Sequence, residues 1–179
     1  MTPRPSSVTT AMVELILSGK ASSTALANAH DVDVRVVDAG MIQSPRKPWP
    51  GHFIPQAVAP GTADLSQAPA MTVEQFDMVR ALGAAEAQVA IDAGHRLLIA
   101  GETGIGNTAA AACLTHLVAG VEADTATGSG ADADAAMRGI KRDIVTVAVD
   151  RLGGRNDKAK LTAIAGCGIV CATTNSIAG

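Results

Sequence analysis

The run Gly101-Glu102-Thr103-Gly104-Ile105-Gly106-Asn107-Thr108 restricts this chain more than any other segment, because of what stands on either side of it. Before it, Arg96-Leu97-Leu98-Ile99-Ala100 is a short apolar run between turn signals, which predicts a strand buried on both faces. After it, residues 108–118 are alanine-rich and predict a helix. A glycine turn that opens a helix presents backbone N–H groups without internal partners, at the positive end of the helix dipole. Glycine also lets the backbone reach positive φ and approach an anion closely. The turn is therefore read as a cradle for the phosphate of a nucleotide-like ligand. A tight strand-to-helix turn without a ligand is the alternative, since glycines there also serve packing.

Two general phosphate-binding patterns nearly fit. The spacing from Gly101 to Gly106-Asn107-Thr108 mimics a P-loop, but Asn107 stands where the phosphate-neutralising lysine belongs, which argues against an ATPase. Gly104, Gly106 and Ala109 satisfy the looser dinucleotide fingerprint, with Glu122 or Asp124 near the distance for a ribose contact. No strand is evident before that acidic pair. Glu102 is the awkward member of the turn, because a carboxylate beside a phosphate is costly unless it faces another part of the ligand. A second turn, Thr127-Gly128-Ser129-Gly130, also precedes a predicted helix, with Asp132 and Asp134 in its first turn. It reads equally as a ligand turn or a flexible turn capped by acids. Lys141-Arg142 reads as a solvated helix face.

The rest of the chain places these turns in one α/β domain, residues 1–179, with a mostly parallel sheet. Residues 9–20 and 22–30 predict helices, and Val32 to Val37 alternates as a strand ended by Asp38-Ala39-Gly40. Residues 40–70 hold six of the eight prolines, so a helix or an ordered sheet interior is not expected there. That stretch is either a mobile surface excursion or an active-site loop. Thr72-Val73-Glu74-Gln75 has the form of a capping box, opening a helix with Phe76, Val79 and Leu82 on its apolar face and Gly94 at its end. Further helices are expected over residues 131–152 and after Asp157.

Aromatic residues make up only 2% of the chain, which leaves few flat side chains for stacking single-stranded nucleic acid. A net charge of −3 argues against a nucleic-acid or polybasic membrane binder. No apolar stretch reaches membrane-span length. Cys113, Cys167 and Cys171 form an odd set without disulfide spacing, as expected for a cytoplasmic protein. Cys167 and Cys171 fall one helical turn apart and read as packed thiols. His30, His52, His95 and His116 show no metal-ligand spacing, and neither metal nor cofactor is called for.

The turn over residues 101–108 with its alanine-rich helix resembles the nicotinate-nucleotide–dimethylbenzimidazole phosphoribosyltransferase family. The upstream Gly61-Thr62-Ala63-Asp64, Pro69-Ala70-Met71-Thr72 and Val34-Arg35-Val36-Val37-Asp38-Ala39-Gly40 carry the same resemblance. It covers residues 8–118 and fades beyond them. It implies a Rossmann-like, three-layer α/β fold, a homodimer, and transfer of phosphoribose from nicotinate mononucleotide to a benzimidazole base. The product is α-ribazole phosphate, a piece of the cobalamin lower ligand, formed with inversion at the anomeric carbon.

By the same resemblance Gly104, Gly106, Asn107, Gly128 and Gly130 hold the nucleotide, with Thr103, Ile105, Thr108 and Ser129 beside them. Glu102 matches a site glutamate, and Lys141 matches a lysine near the phosphate after a two-residue insertion. The chain departs from the family pattern at Thr103, where Met or Leu is common, at Ser129, where Thr is usual, and at Gly168, in place of an acid. The family's upstream Asp-His segment and its C-terminal glutamate base have no counterpart, so a shortened relative or fragment is expected.

Displacing nicotinate builds positive charge on the sugar, and the acceptor must shed a proton. A carboxylate can meet either need. Glu102 is the carboxylate best placed by sequence, for charge stabilisation first and as a base second. The competing expectation is a non-catalytic nucleotide- or phosphate-binding module, or a truncated homologue without turnover.

Overall fold

The computed structural model describes residues 5–128, 135–152 and 171–177. The fold is α/β, and its contacts gather into two compact units.

One unit comprises Arg4–Gly61, Asp77–Gly104 and Ile169–Gly179. It holds helices α1 (Ser7–Leu17) and α2 (Ser22–Ala29), strands β1 (Val32–Asp38) and β2 (Phe53–Pro55), most of α3 (Val73–Asp92), and strand β3 (Leu97–Thr103). A further strand over Cys171–Ile177, β4 in chain order, completes a four-stranded sheet in the order β2-β1-β4-β3. β1 and β2 pair in parallel, with Val36 opposite Phe53, whereas β4 is antiparallel to both β1 and β3. Thus β1, β2 and β3 run the same way, as expected, and β4 alone is reversed between two of them, which makes two of the three pairings antiparallel.

That last strand corrects the expectation of a closing helix. The segment Cys-Ala-Thr-Thr-Asn-Ser-Ile combines β-branched residues with Asn and Ser, which are poor in helix interiors. Pairing with two neighbours then fixes the extended form. The part of the expected helix between Asp157 and Val170, Cys167 and Gly168 included, lies outside the described residues.

The core of this unit is built by Val13 and Ile16 of α1 against Val36, Met41 and Phe53, with Leu17, Val34 and Trp49 at its margin. β1 ends on the buried Asp38, whose carboxylate accepts from the Gly40 and Met41 amides at 3.0 and 2.7 Å. The proline-rich stretch contains no helix, and its short β2 sits at a sheet edge, where Pro55 removes no interior ladder bond. Within it Trp49 packs edge-on to Phe53 and donates Nε1–H to the Pro45 carbonyl at 2.9 Å.

Gly61 closes the same stretch at φ 76°, its amide donating to the Gly40 carbonyl at 2.9 Å. A Cβ there would stand 3.0 Å from Ile42 Cγ1. Gly61→Ala is therefore expected to cost about 1–2 kcal/mol, from the left-handed backbone and the contact together. Urea denaturation checks this, and Ile42→Ala in the same background should restore only the contact part.

On the other face of β1, Arg35 donates through Nε and Nη2 to Glu86 Oε2 of α3 at 2.9 and 2.7 Å. Asp33, two residues earlier, meets His95 Nε2 at 3.5 Å. These contacts explain a departure on α3. The expected apolar face, Phe76, Val79 and Leu82, is only half-buried, and the buried residues are Glu86 and Ala90. An ion pair, not an apolar stripe, seats this helix.

The other unit comprises Met1–Pro3, Thr62–Phe76 and Ile105–Gly168. Its helices are α4 (Asn107–Ala119), α5 (Ala123–Ala126) and α6 (Ala135–Leu152), and α3 starts in it. The single turn α5 is too short for a periodicity to announce. Residues 131–134, the expected start of α6 with Asp132 and Asp134, lie outside the described residues. Ala109, Ala110, Ala112 and Cys113 of α4 pack with Val145 and Ala148 of α6 and with Leu65 and Ala70. Small side chains permit this close helix contact.

The capping box forms as expected: the Thr72 amide donates to Gln75 Oε1 at 2.9 Å, and the Gln75 amide to Thr72 Oγ1 at 3.2 Å. Upstream, Arg151 Nη2 of α6 donates to the carbonyls of Leu65 and Ala68, each at 3.2 Å. Asp64 Oδ1 accepts from the Ser66 hydroxyl at 2.8 Å and the Ser66 amide at 3.0 Å.

The Ser66 hydroxyl bond first, then its amide, outweigh burial and hold the Asp64 carboxyl below its ordinary value of 3.8. A carboxyl whose pKa is lowered by folding stabilises the fold above the unfolded value, and that contribution fades as pH falls through the folded value. The stability gap between the parent and Asp64→Asn is thus expected to shrink below about pH 4. A gap that stays constant through acid unfolding would count against this.

Candidate functional site

The glycine turn lies where the chain passes from one unit to the other, between Gly104 and Ile105. On one side, Glu102 and Thr103 are the last residues of β3, their backbones opposite Ala172 and Cys171 of β4. Glu102 is exposed and Thr103 half-buried. The strand itself departs from expectation. Leu97 is 52% exposed and Ile99 42% exposed, so β3 is not covered on both faces within this structure.

On the other side, Gly106 is the N-cap of α4 at φ 91°, ψ −7°, a left-handed conformation that an L side chain resists. A glycine also brings no side chain to cap the first turn, and no side-chain cap bond is made there. Helix α4 then starts at Asn107. Ile105, Gly106 and Asn107 are half-buried, and Thr108 is exposed. The local backbone has the form of an anion cradle: a glycine at positive φ followed directly by the positive end of a helix dipole.

A second set of predicted residues meets within the same unit. Thr127 is buried and donates its hydroxyl to the Ala123 carbonyl at 2.7 Å, fixing the end of α5. Next to it, the Gly128 carbonyl accepts from Lys141 Nζ of α6 at 3.0 Å. Thirteen residues separate this pair in sequence, and helix α6 brings them together. Partial burial lowers the Lys141 pKa from its ordinary 10.5. Arg142, the next residue, reaches Asp124 at 3.8 Å and Asp143 at 3.6 Å, so it faces acids of α5 and of its own helix. Ser129 and Gly130 lie outside the described residues.

Sequence reasoning missed Arg151, which holds the turn at Leu65 and Ala68, since a lone arginine near a helix end gives no sign of what it reaches. Among the described residues, no group of three or more His, Cys, Asp or Glu is arranged to hold a metal ion. Among the same residues, no helix is long and apolar enough to cross a membrane.

Comparison with known proteins adds a consistent set of likenesses. A family model described as phosphoribosyltransferase matches residues 1–178. A relative from Solidesulfovibrio magneticus, named nicotinate-nucleotide–dimethylbenzimidazole phosphoribosyltransferase, is 37% identical over 171 residues, covering 93% of this chain and 48% of its own. A relative of the same name from Variovorax paradoxus is 41% identical over 141 residues, covering 79% of this chain and 39% of its own. The crystal structure of CobT from Thermus thermophilus matches with a TM-score of 0.79 at 35% identity, covering 93% of this chain and 52% of that one. The chain spans about half the length of the relatives it matches.

Proposed function

The chain belongs to the phosphoribosyltransferase family, and from that premise we propose that it acts in phosphoribosyl transfer from nicotinate mononucleotide to a benzimidazole base. The product of this reading is α-ribazole phosphate, for cobalamin lower-ligand synthesis. The observation that carries it is Gly106, left-handed at the mouth of α4, in a chain 35% identical to a solved CobT at a TM-score of 0.79.

In this reading a ring nitrogen of the base attacks the anomeric carbon as the bond to nicotinate breaks. The attacking nitrogen is the imine-type one with a free lone pair; nicotinate leaves with the bonding pair, and the other ring nitrogen of the base gives up its proton. The backbone from Gly104 through Thr108 holds the nucleotide, with Thr103 and Ile105 flanking it. Gly128, Ser129 and Gly130 form the second turn. Lys141 faces the phosphate, and an anion there would offset the cost of its partial burial, which lowers its pKa. Glu102 supplies negative charge where the ribosyl carbon becomes positive, a role for which preorganised charge suits better than a flexible one. The partners are then a small nucleotide and an aromatic base. A homodimer, a cytoplasmic setting and a Rossmann-like three-layer arrangement complete the reading.

A second reading is supported by the share of the relatives covered, about half. In it the chain is a nucleotide-binding module, or a truncated homologue, without turnover. Mixing the purified chain with nicotinate mononucleotide and dimethylbenzimidazole separates the two. Chromatographic appearance of α-ribazole phosphate is the expected result. Calorimetric binding of the nucleotide without product would favour the second reading, and neither binding nor product from folded protein would sink both.

A further inference from the structure

We propose that the Gly128 carbonyl and Lys141 work as one unit, in which the carbonyl aims the ammonium and the ammonium bridges it to a bound phosphate. This deepens the proposed function and rests on it. The new element is what aims the charge. A lysine ammonium is a point charge on a flexible stem, a loose partner for an anion unless something else fixes it. Here Nζ donates to the Gly128 carbonyl at 3.0 Å. That carbonyl is itself held in place. The Gly128 amide donates to the Ala126 carbonyl at 3.1 Å, and the amide and hydroxyl of the buried Thr127 both donate to the Ala123 carbonyl, at 3.0 and 2.7 Å. The end of α5 is therefore a fixed point against which α6 sets its lysine.

Two observations lead from this pair to an anion. The first concerns the cation. An ammonium has three donors, and among the described residues Lys141 uses one, on a neutral oxygen. Partial burial already disfavours its charge and lowers its pKa. The acid of α5, Asp124, is met by Arg142 at 3.8 Å and not by Lys141. A partly desolvated cation with a neutral partner gains most from a ligand that brings the counter-charge.

The second concerns the carbonyl. A turn that holds an anion does so through N–H groups, and an uncovered carbonyl oxygen opposes it. Gly128 is exposed and has no side chain to cover its own oxygen, and a Cβ there would meet nothing within 4 Å. Lys141 covers that oxygen and keeps two donors for the anion. A repulsive group at the turn thereby becomes the support of an attractive one.

The test uses the purified chain with Lys141→Met, Lys141→Arg and Arg142→Met. Methionine keeps most of the stem without the charge, and arginine keeps the charge in a wider, planar head. Amide exchange over residues 123–128 is measured first without ligand. It should be at least about threefold faster in Lys141→Met than in the parent. Arg142→Met should match the parent, because the Arg142 and Asp124 side chains are 52% and 74% exposed and pair weakly. Calorimetry with nicotinate mononucleotide should show affinity at least about tenfold weaker in Lys141→Met, and Lys141→Arg should fail to restore it. Nicotinate riboside, which lacks the phosphate, should bind all four proteins alike.

Unchanged exchange in Lys141→Met overturns the proposal, since the turn then does not depend on the ammonium. Full affinity in Lys141→Arg also overturns it, since charge without aim then suffices, and an equal loss toward the riboside does so because Lys141 would not be meeting the phosphate. Each of these leaves the functional reading standing. A parent that binds no nucleotide sinks that reading instead, and inorganic phosphate then becomes the probe. Phosphate that slows exchange over 123–128 in the parent but not in Lys141→Met upholds the bridge, and phosphate without effect in the parent ends it.

Discussion

Gly106→Val is expected to abolish measurable nucleotide binding and to lower fold stability by about 2 kcal/mol or more. The stability loss arises because Gly106 sits at φ 91°, where an L residue costs about 1–2 kcal/mol and a β-branched one is worse placed still. The binding loss arises from the amides that follow. Any side chain at this position rotates the peptide planes that lead into α4, and each charge-assisted bond to an anion that is lost weakens binding by about 1.5–3 kcal/mol. One such bond is already more than tenfold in affinity, and two put binding beyond a routine calorimetric titration.

Gly120 provides the control. It closes the same helix at φ 66°, its amide bonded to the His116 carbonyl, and a Cβ there would meet nothing within 4 Å. Gly120→Val should show a comparable stability loss with affinity unchanged. Isothermal titration with nicotinate mononucleotide, alongside urea denaturation of both variants, makes the comparison. Equal affinities in the parent and Gly106→Val would remove the anion-cradle reading of this turn.

The second large effect concerns Arg35 and Glu86. Glu86→Ala is expected to destabilise the protein by about 2–4 kcal/mol, while an Arg35→Met, Glu86→Leu pair should recover most of the loss. The two side chains retain 29% and 11% exposure, so the pair is largely removed from water. Two of the three guanidinium nitrogens bond one carboxylate oxygen, at 2.9 and 2.7 Å. Removing the acid leaves a guanidinium against β1 with its solvation only partly restored, which is the costly event. Replacing both groups by apolar ones removes the charge as well as the partner. A double variant as unstable as the single one, by urea denaturation, would show that the pair adds more than mutual compensation.

How far the sequence foretold this fold depends on the range of the forces involved. The helices α1, α2 and α4, the strand β1 and the Thr72 capping box were legible, because periodicity, glycine stops and cap residues act within a few positions. Gly106 was legible for the same reason: a glycine before a helix asks a local question and gets a local answer. The last segment was not. Whether Cys171–Ile177 is strand or helix is settled by pairing with β1 and β3, whose partner residues lie far back in the chain. Alternation along β1 set Asp33 and Arg35 apart from the valines, yet nothing local said that α3 would place Glu86 opposite Arg35. Lys141 read as a solvated cation until α6 carried it to the Gly128 carbonyl. The apolar run of β3 was read as doubly buried, and its composition still says so. Coverage of its faces depends on distant elements, which a local run of residues cannot name.

Arg151 joins two stretches that lie far apart in the chain. Its guanidinium holds the Leu65 and Ala68 carbonyls across 86 and 83 residues of chain. The bend before the Thr72 cap therefore has two anchors, the local bonds between Ser66 and Asp64 and the distant final turn of α6. Damage confined to that final turn is thus felt first at a bend that a reader of the sequence would place in another neighbourhood altogether.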